Sequence, residues 1–237
     1  MKIAQIVCVL PPYGGGIGMV AHSYADQLFE RHYDVVAFVP FSKKYTDSNK
    51  KYPVEKVFPL LRLGNAAFLP QLVWKLWKFD ILHLHYPFFG ASFFVLFVRL
   101  LRGKKTKLIT NYHMDVSLPG IRGLYVKLAH RLFLPALLKY SDKIIVSSID
   151  YVENSDIQAF YFKNKHKFLE LPFGVPRRYS PTDKDADLLQ KYNIGKNEPV
   201  VLFVGSLDSA HYSKGVDYLI RALPLVNDKN VKILIVG

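Results

Sequence analysis

The 237-residue chain has a single cysteine, Cys8, set inside an apolar run. One thiol cannot build a disulfide framework or a cysteine-rich zinc site, and it suits a reducing compartment. Long apolar runs are also missing. The best, Phe88 to Leu101, is broken by Gly90, Ser92 and Arg99 and falls short of the roughly 20 residues a spanning helix needs. The apolar stretch after Lys2 stops at Pro11-Pro12 with no small-residue cleavage site, so it does not read as a secretory signal. These absences together predict a cytoplasmic protein.

Acid is scarce. Nineteen Asp and Glu face 32 Lys and Arg, a net charge of +13. The imbalance is local: residues 1–60 carry +2, residues 61–180 carry +11, and residues 181–237 carry none. From Ile81 to Ser141 nine basic residues face one acid, Asp115. Such a bias suits a polyanionic partner: nucleic acid, an anionic membrane or a phosphorylated substrate. Half of the residues are hydrophobic and 22% are charged, which excludes disorder and allows a sizeable core.

The apolar residues have a pattern. Lys2 to Leu10 is nearly all apolar, as for a strand buried on both faces of a parallel sheet. After a Pro-Pro-Tyr-Gly-Gly-Gly turn, Ile17, Val20, Ala21, Tyr24 and Leu28 recur at helical spacing. Further strands are predicted at Asp34–Pro40, Val54–Leu60, Asp80–His85, Lys107–Asn111, Lys143–Ser147 and Lys167–Leu171. Helices are predicted at Ala67–Lys78, from Phe88 to Leu101, at Leu124–Tyr140 and at Ile149–Phe162. Alternating strands and helices imply an α/β fold with a doubly wound, Rossmann-like parallel sheet. Pro172, Gly174, Pro176, Pro181 and Pro199 then mark a linker with one short helix. A new β-α-β unit follows: strand Val201–Gly205, a helix from Lys214, and strand Val231–Val236. The domains are read as 1–180, a linker 181–198, and an incomplete second domain 199–237.

Gly14-Gly15-Gly16-Ile17-Gly18 lies between a strand and a helix. Glycine there allows close backbone approach, and the helix start offers unpaired N–H groups to a phosphate or a sugar hydroxyl; a tight turn that merely packs is the alternative. The loop is not a dinucleotide fingerprint, because its third glycine is one residue early and no acid closes the second strand at Phe38-Val39-Pro40-Phe41. It is not a Walker loop either.

Four motifs occur in order: Gly15-Gly16-Ile17-Gly18; Asn111-Tyr112-His113-Met114-Asp115; Leu171-Pro172-Phe173-Gly174-Val175-Pro176; and Phe203-Val204-Gly205-Ser206-Leu207-Asp208 with Lys214-Gly215-Val216-Asp217 behind it. In these the chain resembles the retaining, nucleotide-sugar-dependent glycosyltransferases of family 4, with the GT-B fold. The resemblance implies an acceptor-side N-terminal domain and a C-terminal domain for the nucleotide sugar. It implies transfer of a sugar to a lipid-linked or saccharide acceptor, in cell-envelope or exopolysaccharide synthesis, with no metal and no cofactor. By the same resemblance Gly15, Gly16 and Gly18 lie near the donor diphosphate, His113 faces the donor sugar, and Lys214 binds the diphosphate. A leaving diphosphate gains charge as its glycosidic bond breaks, and a lysine with backbone donors stabilises that charge.

There are departures. Ser206 stands where many members have arginine, and His211 in the same stretch has no assigned role. The family's paired glutamates would fall beyond Gly237, so the chain is expected to be truncated and inactive alone. His83 and His85 share one strand face, which reads as a core strand rather than a metal site. Asp183, Asp185 and Asp187 read as solvated linker acids, although a metal or helix-start motif has the same pattern.

The basic stretch, with Trp74, Trp77 and Phe79 beside Lys75 and Lys78 and with Arg99, Arg102, Lys104, Lys105, Lys107, Arg122, Lys127, Arg131 and Lys139, suits peripheral binding to the anionic inner membrane face. Two alternatives remain: a non-catalytic binding half-protein and a basic nucleic-acid-binding module. The chain shows no nucleic-acid-binding motif, and no nucleic acid is expected as partner.

Overall fold

A computed structural model describes residues 1–12, 15–42, 50–116, 120–174, 180–205, 207, 214–228 and 230–237, without the side chains at 121, 122, 125, 126 and 129. The chain divides into two compact units, Met1–Gly174 and Val175–Gly237.

The first unit begins as its hydropathy dictates. Strand β1 (Lys2–Ile6) leads to helix α1 (Gly16–Glu30) and β2 (Asp34–Pro40), followed by β3 (Val54–Val57). A hairpin of β4 (Leu61–Leu63) and β5 (Ala66–Phe68) comes next. The predicted helix from Ala67 to Lys78 is therefore wrong in its first half. Pro70 disfavours helical geometry at Leu69, so the helix forms only at α2 (Leu72–Lys75) and tightens into a 3-10 turn at Leu76–Lys78. Then come β6 (Ile81–Tyr86), α3 (Ala91–Arg102) and β7 (Lys107–Tyr112).

The helix predicted across Leu124–Tyr140 is two, α4 (Gly120–Leu132) and α5 (Leu134–Tyr140). Pro135 has no N–H to give the preceding turn and instead opens the second helix. After β8 (Lys143–Val146), the segment 149–162 also divides, into α6 (Ile149–Glu153) and α7 (Gln158–Lys163). There the Asn154 amide donates to the Asp150 carbonyl and the Ser155 hydroxyl to that of Val152, drawing on the carbonyls that would have continued the helix. Strand β9 (Phe168–Glu170) completes the sheet.

Seven strands pair in the order β3-β2-β1-β6-β7-β8-β9, all parallel. The Rossmann-like fold expected from the alternation is present. Side chains alternate along each strand. Ala4, Ile6, Leu82, Leu84 and Leu108 point into the larger core with α2, α3 and α5, while Ile3 and Val7 pack on Ala21 and Ala25 of α1. The connection after β1 builds β2 and β3 on one side; the chain then returns to the other side with β6. The order therefore reverses between β1 and β6, and open α/β sheets bind ligands in the crevice at the strand ends of such a reversal.

The second unit holds α8 (Ala186–Lys191), β10 (Val200–Val204), α9 (Val216–Ala222) and β11 (Lys232–Val236). β10 and β11 pair in parallel, as the sequence predicts for a β-α-β unit. Asp185 caps α8 by accepting from the amides of Asp187 and Leu188, so it belongs to a helix start.

Candidate functional site

The reversal brings together the loop after β1, the end of β6 and His113, which directly follows β7. All three lie at the C-terminal edge of the sheet. Gly15 caps α1 at a positive φ (142°) that favours glycine, with no side-chain cap among the described residues. Among the described residues, a Cβ at Gly15 or Gly16 would meet nothing within 4 Å. The first amides of α1 have no carbonyl one turn behind them and carry the positive end of the helix dipole. Gly18 differs: a Cβ there would lie 2.9 Å from the Val9 carbonyl oxygen. It lets α1 seat closely against the chain leaving β1.

Beneath this edge runs a polar seam. Gln5, His83 and His85 are buried on the α1 face of β1 and β6. His85 Nε2 lies 2.7 Å from Gln5 Oε1, and His85 Nδ1 lies 3.0 Å from His113 Nε2. The Asn111 amide nitrogen is 3.2 Å from that same His113 nitrogen. The rings also stack: Tyr24 on His83, His83 on His85 (centroids 4.7 Å apart), His85 on His113 (5.2 Å), and His113 on Phe173 (5.5 Å). Burial pushes all three imidazoles toward the neutral form: His83 to about 3, His113 to about 4, and His85 well below its usual value. A neutral His113 can offer a hydrogen bond to a sugar without changing charge.

His83 and His85 thus do lie in a core strand, and His85 is in addition hydrogen-bonded to His113. Among the described residues no group of three or more His, Cys, Asp or Glu is placed to hold a metal ion. Cys8 is buried, its thiol pushed up to about 11 by desolvation, so it is no nucleophile at neutral pH.

The sequence reading missed Gln5 as a partner of the site. The signal was a lone amide in an otherwise apolar strand. Phe173 belongs to the third motif, but no spacing in the sequence places its ring over His113.

Asp115, two residues after His113 in the chain, lines a cavity of about 630 Å³. Lys127, His130 and Arg131 of α4 and Asp156 line it too, over an apolar floor that includes Leu134, Pro135, Ile157 and Phe160. His130 Nδ1 lies 3.3 Å from Asp156, and its buried Nε2 has no partner among the described residues. Asp115 is held in place: it accepts from the Tyr112 hydroxyl and the Asp156 amide, and its own amide donates to the Tyr151 hydroxyl.

In the second unit, the Lys214 stem passes 3.9 Å from a Cβ built at Gly205, which follows β10. Lys214 is exposed, just ahead of Gly215, the left-handed N-cap of α9 (φ 73°). Ser206 and His211 lie outside the described residues, as do Val175 and Pro176 of the third motif.

A model of Glycosyltransferase Family 4 matches residues 14–154, more than half of the chain. The chain belongs to glycosyltransferase family 4. The matched segment runs from the glycine turn through α6 and includes His113. Among curated proteins, none matches the family 4 chain in sequence.

Solved structures share the fold at low identity. The catalytic domain of Starch Synthase IV from Arabidopsis thaliana, bound to ADP and acarbose, superposes with a TM-score of 0.66 at 12% identity, over 100% of this chain and 68% of that one. The lipopolysaccharide outer core galactosyltransferase WaaB, in its apo form, gives 0.58 at 16%, over 99% and 60%. WaaG, a glycosyltransferase involved in lipopolysaccharide biosynthesis, gives 0.55 at 14%, over 98% and 62%. The chain thus spans between three-fifths and seven-tenths of these relatives' lengths. They bear out the GT-B-type fold expected of the glycosyltransferase.

Proposed function

We propose that this family 4 chain takes part in glycosyl transfer from a nucleotide sugar, with retention, to a saccharide or lipid-linked acceptor in envelope or exopolysaccharide synthesis. The observation that carries it is that a helix start with no side-chain cap among the described residues and a neutral histidine share the C-terminal edge of the sheet at its switch point. The helix start supplies backbone donors for a diphosphate. His113 supplies a neutral hydrogen bond to a hydroxyl. Two of the similar solved structures add support, one a starch synthase domain bound to ADP and acarbose, the other a galactosyltransferase. On this reading residues 1–180 form the acceptor side, residues 199–237 open the nucleotide-sugar side, and Lys214 and Ser206 face the diphosphate there. On the same reading Lys214 would supply the charge that a leaving diphosphate needs, in place of a metal or another cofactor.

The cavity beside Asp115 suits the acceptor. Its cations, Lys127 and Arg131, would meet an anionic group, and its apolar floor would meet an aliphatic one. The surface near it supports a membrane partner. Phe93, Phe97, Leu100 and Leu101 form an exposed stripe on α3, and Leu124, Leu128 and Leu132 form one on α4. Exposed Lys104, Lys105, Lys127, Arg131 and Lys139 lie in the same segment. Apolar stripes with lysine and arginine nearby suit docking on anionic lipid at the inner membrane face. Not every residue of the basic stretch serves this. Arg99 and Lys107 pair with Asp142, and Arg102 donates to the Phe79 carbonyl. Among the described residues no helix is long and apolar enough to cross a membrane.

The test is saturation-transfer NMR of the chain with UDP-, ADP- and GDP-sugars. Nucleotide release is then followed with saccharide, polyprenyl-phosphate or DNA acceptors. Binding of one nucleotide sugar and release stimulated by a saccharide or lipid acceptor is expected. Stimulation by DNA alone would move the reading to a nucleic-acid acceptor, and no binding of any donor would remove it. Flotation with anionic against neutral vesicles tests the membrane partner, and equal weak binding to both would reject it.

A further inference from the structure

Whether His113 offers a proton or a lone pair depends on its neighbours. As placed, the Gln5 oxygen accepts from His85 Nε2, and the Asn111 nitrogen donates to His113 Nε2. With His113 Nε2 accepting, His85 Nδ1 must also donate, across 3.0 Å. His85 would then carry both ring protons and a charge, fully buried between two other imidazoles. Desolvation and its neighbours oppose that charge. A neutral His85 has one N–H, so one terminal amide must be turned over, its oxygen and nitrogen occupying interchangeable positions.

The buried atoms decide which. Among the described residues, Gln5 Nε2 and Asn111 Oδ1 have no partner in this arrangement. Turning Asn111 would leave unpaired N–H₂ groups on both amides. Turning Gln5 leaves an unpaired oxygen on each instead. Buried unpaired N–H groups are rarer and costlier than under-satisfied carbonyls, so Gln5 is the amide that turns.

We infer that Gln5 and His85 are positioning residues: Gln5 donates to His85 Nε2, His85 donates its Nδ1–H to His113 Nε2, and the proton of His113 is thereby fixed on Nδ1. Nδ1 takes no hydrogen bond among the described residues and is not among the buried unpaired atoms. His113 therefore presents a neutral N–H donor. Under the proposed function, on which this part rests, that donor meets a sugar or phosphate oxygen, and His113 is not a general base. The Asn111 amide shares the single Nε2 lone pair with His85 at the longer distance, 3.2 Å, and Phe173 covers one face of the ring. The fixed tautomer avoids the loss that a free ring would suffer, since a donor site gains nothing from the half of the molecules whose proton sits elsewhere.

The test reads the ring nitrogens directly. Imidazole ¹⁵N spectra of the full chain at pH 7.5 are expected to show a protonated Nδ1 and an unprotonated Nε2 at His113. His85→Phe removes the donor, so His113 should gain an Nε2–H population. His85→Asn keeps an N–H near the old Nδ1 position and should restore the wild-type signature. Gln5→Leu, which leaves His85 in place, should mix the tautomers of both rings and serves if His85→Phe fails to fold. A proton on Nε2 of His113 in the wild type, or a signature unmoved in the variants that fold, overturns the inference. Nucleotide-sugar turnover is followed in parallel. His85→Phe should lower kcat about tenfold, the scale of one lost hydrogen bond, and His85→Asn should recover it. The predicted tautomer without any donor binding would sink the glycosyl-transfer reading and leave the ladder standing. Turnover with the proton on Nε2 would do the reverse.

Discussion

On one face of the seven-stranded sheet, Ala4, Ile6, Leu82, Leu84 and Leu108 are buried in a core with α2, α3 and α5. On the other face the same three strands present Gln5, His83, His85 and Asn111, all of them buried as well. A strand buried on both faces is ordinarily apolar throughout. β1 and β6 depart from that rule on one face alone, and there the residues run to His113. The difference separates two purposes within one strand. The larger core drives collapse by removing apolar surface from water. The α1 face exchanges part of that gain for a chain of hydrogen bonds ending at the switch point. Stability and site geometry should therefore respond to different perturbations.

Acid should separate them most strongly. Burial holds His83 at about 3 and His113 at about 4 in the folded chain, and His85 is held low too, while an unfolded histidine sits near its ordinary value of 6.5. Below 6.5 the unfolded chain binds protons that the folded one refuses, so stability is full above that value and falls with pH until the folded values are reached. Each histidine contributes up to roughly 1.4 kcal/mol per pH unit in that window. Chemical denaturation between pH 7.5 and 4.5 should show several kcal/mol lost in the first unit. Replacing His83 by phenylalanine should flatten the slope. A slope unaffected by that change would mean that carboxylates, not the seam, control acid unfolding.

The apolar face should respond to volume. Leu84 is fully buried, and Leu84→Ala should cost about 2–5 kcal/mol through lost burial and a cavity, read as a shift in denaturation midpoint that does not depend on pH. On the α1 side, Gly18→Ala should cost about 1–3 kcal/mol, because its methyl meets backbone at Val9 rather than a movable side chain.

The fold could be read from the sequence wherever one periodicity ran uninterrupted. β2 falls at the predicted Asp34–Pro40, and the parallel order follows from the alternation of strands and helices. The errors lie where a local break competes with the pattern: Pro70 replaced a helical turn with a hairpin strand, and Pro135 cut one predicted helix in two. The site was legible as a list and not as an arrangement. His83, His85 and Asn111 stand out as polar residues near strand ends. That His85 lies between Gln5 and His113 follows from β6 inserting between β1 and β7, a long-range order that no local spacing encodes. Gln5 and His85 are 80 positions apart.

At the end of the seam the expected effects move from stability to turnover. His113→Ala removes the group nearest the proposed sugar and leaves the apolar core untouched. In a full-length version that turns over the nucleotide sugar, turnover should fall at least tenfold, about 1.4 kcal/mol on the barrier. The chain should stay folded at neutral pH although its stability drops by about 1–3 kcal/mol, because His85 and Asn111 lose their shared acceptor. Unchanged turnover would make His113 a structural residue of the α1 face.

The smallest effect on folding, and the sharpest contrast with Gly18, belongs to Gly16. Among the described residues a Cβ there meets nothing within 4 Å, and its φ is not in the left-handed region. Alanine is also the better helix former, by up to about 1 kcal/mol. Gly16→Ala should therefore leave stability level or slightly raised. If α1 accepts a diphosphate at its start, the added methyl stands where the phosphate oxygens must approach the backbone, and KM for the nucleotide sugar should rise several-fold while kcat changes less. Two alanines two residues apart would then act oppositely, one on folding and one on binding. Equal behaviour of the two variants would mean that the helix start is packing throughout and that the seam leads to no ligand there.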